Sequence, residues 1–283
     1  MLGRELSSRG VEVSKVMWND IECPEVDFNI FVELVAPQLF KCAREQWVIP
    51  NAEWWYFDNL LPEIDKVFAK TKDCAEIFRE KRRVDWQNQS KTRFSIDYLG
   101  WKALDFYVPE IERERKFLHV AGKSQFKNTD SILRAWRNID SQLTVVSEYY
   151  RPKQKNVTWI QRVTDEEMVP LMNSHLFHIM PSAYEGYGHV LHEGLGVGAI
   201  VITTDAPPMN ECSAAIMVPY DRTKPYNSAS LHYVSPDAIM DGVSIALNMT
   251  DMQIELFRER AREQFRLDRE VFEKNLDVMA GVA

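Results

Sequence analysis

The stretch Pro181–Glu211 reads PSAYEGYGHVLHEGLGVGAIVITTDAPPMNE, and the order of its elements decides the fold. Just before it, Leu176–Met180 is an apolar run of strand length that stops at Pro181. A glycine-bearing turn follows (Gly186, Tyr187, Gly188), a helix is predicted from about Gly188, and Ala199–Thr203 is again an apolar run. Strand, glycine turn, helix, strand is the unit of a parallel sheet. It sets backbone N–H groups and a helix N-terminus at the carboxyl end of a strand, a place that attracts a phosphate or a sugar oxygen. Glu185 stands just before the turn, and Glu193 lies eight residues later, about two helical turns on. A carboxylate at that depth can accept two hydrogen bonds from a vicinal diol such as a ribose.

Upstream the same alternation continues. Lys116–Ala121 reads as a strand, Gly122–Asn128 as a loop, Thr129–Arg137 as a capped helix, Leu143–Ser147 and Val157–Gln161 as strands, and Asp165–Asn173 as a helix. An earlier series is predicted from strands at Val11–Met17, Gln46–Asn51, Asp65–Lys70 and Arg93–Leu99, with a helix reaching about Arg82. Asp27–Val35 is a further apolar run and Pro37–Arg44 a helical stretch. Two βαβ series imply two α/β domains, with the polar run Glu110–Arg115 as the boundary. The chain opens on a helical stretch rather than on a buried strand, so the first strand of the first series is expected to be missing. At the other end, Ile254, Phe257, Ala261, Phe265, Phe272, Leu276 and Met279 form one helical stripe, expected to cross back to the first domain.

The loop Gly122-Lys123-Ser124-Gln125-Phe126-Lys127-Asn128 carries two cations that can face a diphosphate. Its Gly-Lys-Ser is not the end of a P-loop, because the glycine required five residues before Gly122 is Phe117. No two aspartates stand two residues apart, so the D-x-D metal motif is missing.

With these residues in view, the chain resembles the retaining nucleotide-sugar glycosyltransferases of GT-B fold that carry an E-x7-E signature, the large family-four-like group that includes sucrose synthases and mannosyltransferases. Glu185 and Glu193 match the signature, and Gly186-Tyr187-Gly188 takes the place of Gly-Phe-Gly. Thr203–Glu211 matches the second loop, and Gly122-Lys123 with Lys127-Asn128 stands for the family's Gly-Arg and Lys-Gly. The resemblance covers about residues 116–275. It implies an α/β, GT-B architecture of two Rossmann-like domains facing a cleft, the N-terminal one abbreviated. The expected limits are 1–112 for the acceptor side, 113–260 for the nucleotide-sugar side, and 261–283 for the C-terminal helix.

The resemblance also implies roles. Glu185 would face the sugar hydroxyls, and Gly122, Gly186, Tyr187 and Gly188 would offer backbone N–H groups. His189 would reach phosphate and Glu193 would bind the ribose. Gln161 and Arg162 would border the base, and Pro208, Met209 and Asn210 would close on the donor. Lys123 and Lys127 would do the electrostatic work of a metal, so neither metal nor cofactor is expected beyond a UDP-sugar donor. The histidine that many members carry in the N-terminal domain has no counterpart before His119. Glu53 in IPNAEWWYF, with Asn51, is the candidate to orient or deprotonate the acceptor hydroxyl, and Trp54 and Trp55 could stack on it or pack.

The acceptor is read from charge. The chain of 283 residues has a formal net charge of -8, yet Lys66–Arg93 holds nine basic against four acidic residues. Phe78, Trp86, Phe94, Tyr98 and Trp101 lie in or beside that window. A basic, aromatic surface suits an anionic partner. The pattern G-Y-G-H, D-A-P-P-M-N-E and A-G-K-S-x-x-K also resembles the glycosyltransferases that act on modified bases, which favours a 5-hydroxymethylpyrimidine in DNA as acceptor and glucose as sugar. Lys81, Arg82, Arg83, Lys91 and Arg93 would hold the DNA. The alternatives are a lipid-linked or polysaccharide acceptor, and a non-catalytic nucleotide-sugar binder.

Composition bounds the rest. Hydrophobic residues at 45% and 32 aromatic residues exclude a disordered chain. No apolar run is long enough to span a membrane, and no basic-then-apolar leader opens the chain, so a cytoplasmic location is expected. Cys23, Cys42, Cys74 and Cys212 form no C-x-x-C pair, so neither a structural zinc site nor a disulfide is expected.

Overall fold

The computed structural model describes residues 1–87, 94–149 and 153–282, with the side chains of residues 85–87 outside the description. The chain forms two compact units. One comprises Met1–Trp101, Tyr226–Ala229 and Asp268–Ala283; the other comprises Lys102–Pro225 and Ser230–Leu267.

The first unit opens with α1 (Leu2–Ser7). Its sheet is built from β1 (Val26–Val32), β2 (Ala43–Ile49), β3 (Lys66–Ala69) and, after α2 (Lys72–Gln87), β4 (Ser95–Tyr98). The strands lie in the order β1-β2-β3-β4, and each neighbouring pair is parallel. Val48, Val67, Ala69, Trp55, Phe78 and Phe94 fill the core between sheet and α2, with Trp55 edge-on to Phe78 at 5.0 Å. Each such fully buried large side chain contributes about 1.5–3 kcal/mol. The expected strand Val11–Met17 is absent. Its side chains are exposed or half-exposed and no strand lies beside it, so its backbone has no ladder to join. The expected absence of a disulfide is also overturned. Cys42, at the end of a short 3-10 turn (Pro37–Cys42), is bonded to Cys23 with a Cα–Cα separation of 6.0 Å, within the usual span.

The second unit is built on a six-stranded sheet. They are β5 (Glu114–Gly122), β6 (Leu143–Ser147), β7 (Val157–Ile160), β8 (His175–Met180), β9 (Ile200–Thr204) and β10 (Ile216–Val218). α3 (Thr129–Ala135) joins β5 to β6, α4 (Asp165–Ser174) joins β7 to β8, and α5 (His189–Gly196) joins β8 to β9. A small two-stranded sheet, β11 (Arg222–Tyr226) with β12 (Ala229–Tyr233), precedes α6 (Pro236–Leu247) and the long α7 (Asp251–Met279). β8 and β9 are buried along their whole length, as strands covered on both faces must be, and this is why they read as continuous apolar runs. Phe117 stacks on Phe177 at 4.8 Å and meets Trp136 edge-on at 5.1 Å in the centre of the core.

The strand order β7-β6-β5-β8-β9-β10 is parallel throughout. In order of appearance along the chain it is the 3-2-1-4-5-6 arrangement of the doubly wound fold. Its direction of winding reverses between β5 and β8, so the loops that leave these two strands diverge and open a crevice at their carboxyl ends. Those loops are Lys123–Asn128 and Pro181–Gly188. His119, under the crevice, ties the floor together. Its Nδ1–H donates to the carbonyl of Ile179 at 2.8 Å, and its Nε2 accepts from the Thr129 hydroxyl at 2.9 Å. Burial pushes its pKa down to about 4, so the ring is neutral at ordinary pH.

Candidate functional site

The two crevice loops are stitched to one another by backbone. The Ala183 N–H donates to the Phe126 carbonyl at 2.6 Å. The Asn128 side-chain amide donates to the carbonyls of Pro181 at 2.7 Å and His232 at 3.2 Å. Asn128 itself holds a left-handed φ of 50° as it enters α3, a conformation that asparagine tolerates better than most residues. Stitched in this way, Lys127 points at Glu185, and the ammonium and carboxylate pair directly. Both are largely buried, at 10% and 12% side-chain exposure. The Ser182 hydroxyl donates to the same Oε1 of Glu185 at 2.5 Å.

The glycine turn is shaped by one position above all. Gly188 caps α5 at φ 83°, and a Cβ there would stand 2.9 Å from Cδ1 of Leu191. Gly188 O then accepts from the N–H groups of Leu191 (2.9 Å) and His192 (3.1 Å), and from Nδ1–H of His192 at 3.1 Å. His192 stacks on Tyr187 at 4.0 Å, and burial drives its pKa down to about 4. His192 and Tyr187 therefore build the wall of the turn. His189 is the exposed member, at the first position of α5.

Glu193 lies one face further along α5. Burial, with Asp165 adding to it and Lys127 opposing it, raises its pKa to about 7. Among the described residues it has no hydrogen-bond donor. Such a half-buried carboxylate has lost part of its water without gaining a donor, and a pair of hydroxyls would restore what it lost.

Lys123 goes elsewhere. It is 73% exposed and lies 3.7 Å from Glu148, which also accepts from Arg162 at 3.2 Å. The first lysine of the loop thus belongs to a Lys123–Glu148–Arg162 group at the ends of β5, β6 and β7. Gly122 ends β5 at φ 54°, and its carbonyl accepts from the Glu148 N–H at 3.0 Å. Gln161 and Arg162 are both exposed just after β7. In the loop after β9, Met209 is 1% exposed and packs inward, while Asn210 donates to Asp205 at 3.2 Å. The crevice residues that the sequence reading missed are Ser182, Glu148 and Asp165. Ser182 stood in the quoted stretch, and nothing about its type set it apart.

In the first unit Glu53 is buried, with its carbonyl held by the Asn227 amide at 2.7 Å. Trp55 is core and its indole N–H donates to Asp58, whereas Trp54 is half-exposed and edge-on to Tyr226 at 6.1 Å. The basic window is not a free surface. Lys66 pairs with Glu45, Lys70 with Glu33, Arg79 with Glu76, Lys81 with Asp58 and Arg83 with Glu80, while Arg82 donates to the Phe94 carbonyl. Phe78, Phe94 and Trp101 are buried among other side chains. Lys91 and Arg93 lie outside the described residues, as does the side chain of Trp86.

No curated protein matches the chain in sequence. Solved structures do match it in fold. The GtfA/B complex has a TM-score of 0.62 at 15% identity over 89% of this chain and 56% of its own. An α,α-trehalose-phosphate synthase (UDP-forming) from Burkholderia vietnamiensis has 0.64 at 10% identity, over 90% and 71%. The pneumococcal O-GlcNAc transferase GtfA in complex with UDP and GlcNAc has 0.61 at 15%, over 89% and 56%. The chain therefore spans little more than half the length of the GtfA chains. The likeness shows the fold, an α/β GT-B architecture with two Rossmann-like units. Residues 101–232 match the family model described as glycosyl transferases group 1, a span that holds both crevice loops.

Proposed function

We propose that the chain is a retaining, metal-independent glycosyltransferase whose second unit binds a UDP-sugar, with glucose as the sugar. The observation that carries this reading is the meeting of Lys127 and Glu185 at the point where the sheet reverses, with Glu193 short of donors on the adjoining helix. The proposed roles follow from chemistry. Glu193 takes the ribose hydroxyls. The turn Gly186–Gly188 and His189 face the sugar and diphosphate, and Glu185 holds the sugar hydroxyls. The bond from the anomeric carbon to the diphosphate oxygen breaks, and a bond to the acceptor oxygen forms. Lys127, and Lys123 once released from Glu148, offset the negative charge that builds on the leaving diphosphate. Gln161 and Arg162 border the base, and Met209 and Asn210 flank the donor. Glu53 takes the proton that the acceptor hydroxyl gives up.

For the acceptor, the DNA reading is weakened by its own residues. Lys66, Lys70, Arg79, Lys81 and Arg83 of the basic window are paired with carboxylates, and three of its five aromatics are core. Exposed pairs are weak, and DNA could compete for them. A gel shift with duplex DNA over a salt series decides the point, since phosphate contacts give a steep salt slope. We carry forward a carbohydrate or lipid-linked hydroxyl acceptor. The donor reading is tested by thermal shift with a panel of nucleotide sugars. A UDP-sugar that binds the native state raises the melting temperature, by about 2.7 kcal/mol of stabilisation at a hundredfold excess over Kd. No rise with any nucleotide sugar defeats the proposal. Transfer that persists unchanged in Glu185→Ala removes Glu185 from it.

A further inference from the structure

Glu185 owes its position to two donors of different kinds. The Lys127 ammonium and the Ser182 hydroxyl both meet its Oε1, the hydroxyl at 2.5 Å, and Oε2 accepts from no donor among the described residues. Lysine reaches through a flexible four-carbon stem. Serine reaches through a single carbon, so its hydroxyl is placed by the backbone that carries it. That backbone is held on both sides. The Ser182 N–H donates to the Met180 carbonyl at 2.8 Å, and the next N–H, that of Ala183, donates to the Phe126 carbonyl at 2.6 Å.

β9 supplies a third hold. It pairs with β8, and Thr203 stands opposite Met180 in the register. Thr203 and Thr204 end β9 and are fully buried. Both send their hydroxyls back to the chain that leaves β8. Thr203 Oγ1 donates to the Met180 carbonyl at 2.9 Å, and Thr204 Oγ1 donates to the Ser182 carbonyl at 2.6 Å. Ser182 is itself fully buried. A line of hydroxyls therefore runs from Thr204 through Ser182 to Glu185, sheltered from the water that competes for exposed hydrogen bonds.

We propose that Ser182 is a positioning residue of the donor site and Thr204 its anchor: together they keep the Glu185 carboxylate aimed when Lys127 leaves it for the diphosphate. This rests on the transfer reading given above. In that reading negative charge builds on the leaving diphosphate and draws the Lys127 ammonium toward it. A carboxylate held by lysine alone would then lose its only donor while it holds the sugar. Ser182 has no such freedom, because its backbone is tied to β8, to the loop after β5 and to β9. With Oε1 kept by Ser182, Oε2 is the oxygen left to accept from a sugar hydroxyl. Ser182 therefore serves the sugar end of the donor and not its nucleotide end.

Calorimetric titration of the whole chain with UDP and with UDP-glucose reads the two ends separately. Ser182→Ala weakens UDP-glucose about tenfold, the size of one hydrogen bond to a charged group, and changes UDP by less than about twofold. Thr204→Val keeps the shape of the side chain and removes its hydroxyl. It weakens UDP-glucose about threefold with UDP again unchanged, and Thr204→Ser, which restores the hydroxyl, restores the affinity. A residue that serves only the fold would lower both affinities together. Equal losses for the two ligands, no loss of UDP-glucose in Ser182→Ala, or a parent that binds UDP but not UDP-glucose overturns the proposal and leaves nucleotide binding standing. Should Ser182→Ala fail to fold, the Thr204 pair decides: Thr204→Ser no better than Thr204→Val overturns it. A parent that binds neither ligand defeats the donor reading itself, and the proposal falls with it.

Discussion

Both units place a buried lysine against a glutamate at the carboxyl ends of neighbouring parallel strands, yet they reach that arrangement by different routes. In the second unit Lys127 and Glu185 lie on loops that diverge where the sheet winding reverses, and glycine supplies the awkward backbone at Gly188. In the first unit all four strands run in sequence with no reversal, and a strained glutamate supplies the geometry at Glu33. The topological crevice comes free with the strand order. The first unit has none, and the turn at the end of β1 rests on one residue, Glu33. A site supported by topology leaves a contiguous motif in the sequence, and an arrangement that rests on a single bent residue does not.

The largest test of this contrast is the Lys127–Glu185 pair. Because both groups are nearly buried, removing one leaves the other charged and unpaired, which costs about 3–5 kcal/mol. Glu185→Gln and Lys127→Met are each expected to lower stability by that order in urea unfolding. The double substitution Lys127→Met with Glu185→Met recovers most of the loss, as apolar replacements of buried pairs do. Sugar transfer falls by at least about a hundredfold in all three and is not recovered in the double variant. If the double variant recovers transfer together with stability, the pair is a structural staple and the reading of the crevice as a reacting centre fails.

Glu193 gives the next effect, and its sign follows from the direction of its shift. Its folded pKa is raised from 4.5 to about 7 by burial. Between those values the folded chain holds a proton that the unfolded chain has released, so stability falls as pH rises through this window. Below it the penalty is absent, and above about pH 7 it is complete, on the order of 3 kcal/mol. Glu193→Gln should therefore match the parent near pH 4.5 and exceed its melting temperature at pH 8. UDP-sugar affinity should run the other way, rising in the parent as Glu193 ionises and staying flat in the variant. A melting-temperature difference independent of pH would remove the carboxylate from the buried side of α5.

How much of this was legible beforehand follows the same division. Leu176–Met180, the glycine turn and Ala199–Thr203 are contiguous, and the structure has β8, α5 and β9 at those places. Lys127 and Glu185 come from separate loops and were found through the spacing of each within its own motif. Lys123 was grouped with Lys127 by proximity in sequence, but with three residues between them it lies at Glu148 instead, because the loop after β5 turns as α3 begins. Glu33 escaped notice, and Asn51 and Lys70 were read apart from it, the one beside Glu53 and the other in the basic window, since no spacing links three strand ends and Glu33 carries no sign of its left-handed φ. Cys23 and Cys42 were set aside for lacking a motif, although a disulfide needs only spatial proximity. Val11–Met17 failed for the opposite reason: its local pattern suits a strand, and no neighbour pairs with it. The stretch from β10 to α6 was left unread because its strands are short and Pro225 interrupts one of them.

The smallest effect separates the two backbones. Gly188 adopts φ 83° without a Cβ to resist it, so Gly188→Ala introduces a strain of about 1–2 kcal/mol. The added methyl also meets Cδ1 of Leu191 at 2.9 Å and Cγ of Glu185 at 3.4 Å, so crowding at the turn adds to the backbone strain. At Glu33 the strain is already present. Substituting it alone would confuse backbone relief with the loss of the Lys70 partner. Lys70→Met removes the pair first, and Glu33→Gly in that background then reports the backbone alone. The difference between the two unfolding free energies should be a gain of about 1 kcal/mol, the amount a left-handed residue with a Cβ gives up. A loss in that background would mean that Glu33 is held comfortably by contacts other than Lys70, and the claim that the first unit bends a strand end under strain would fall with it.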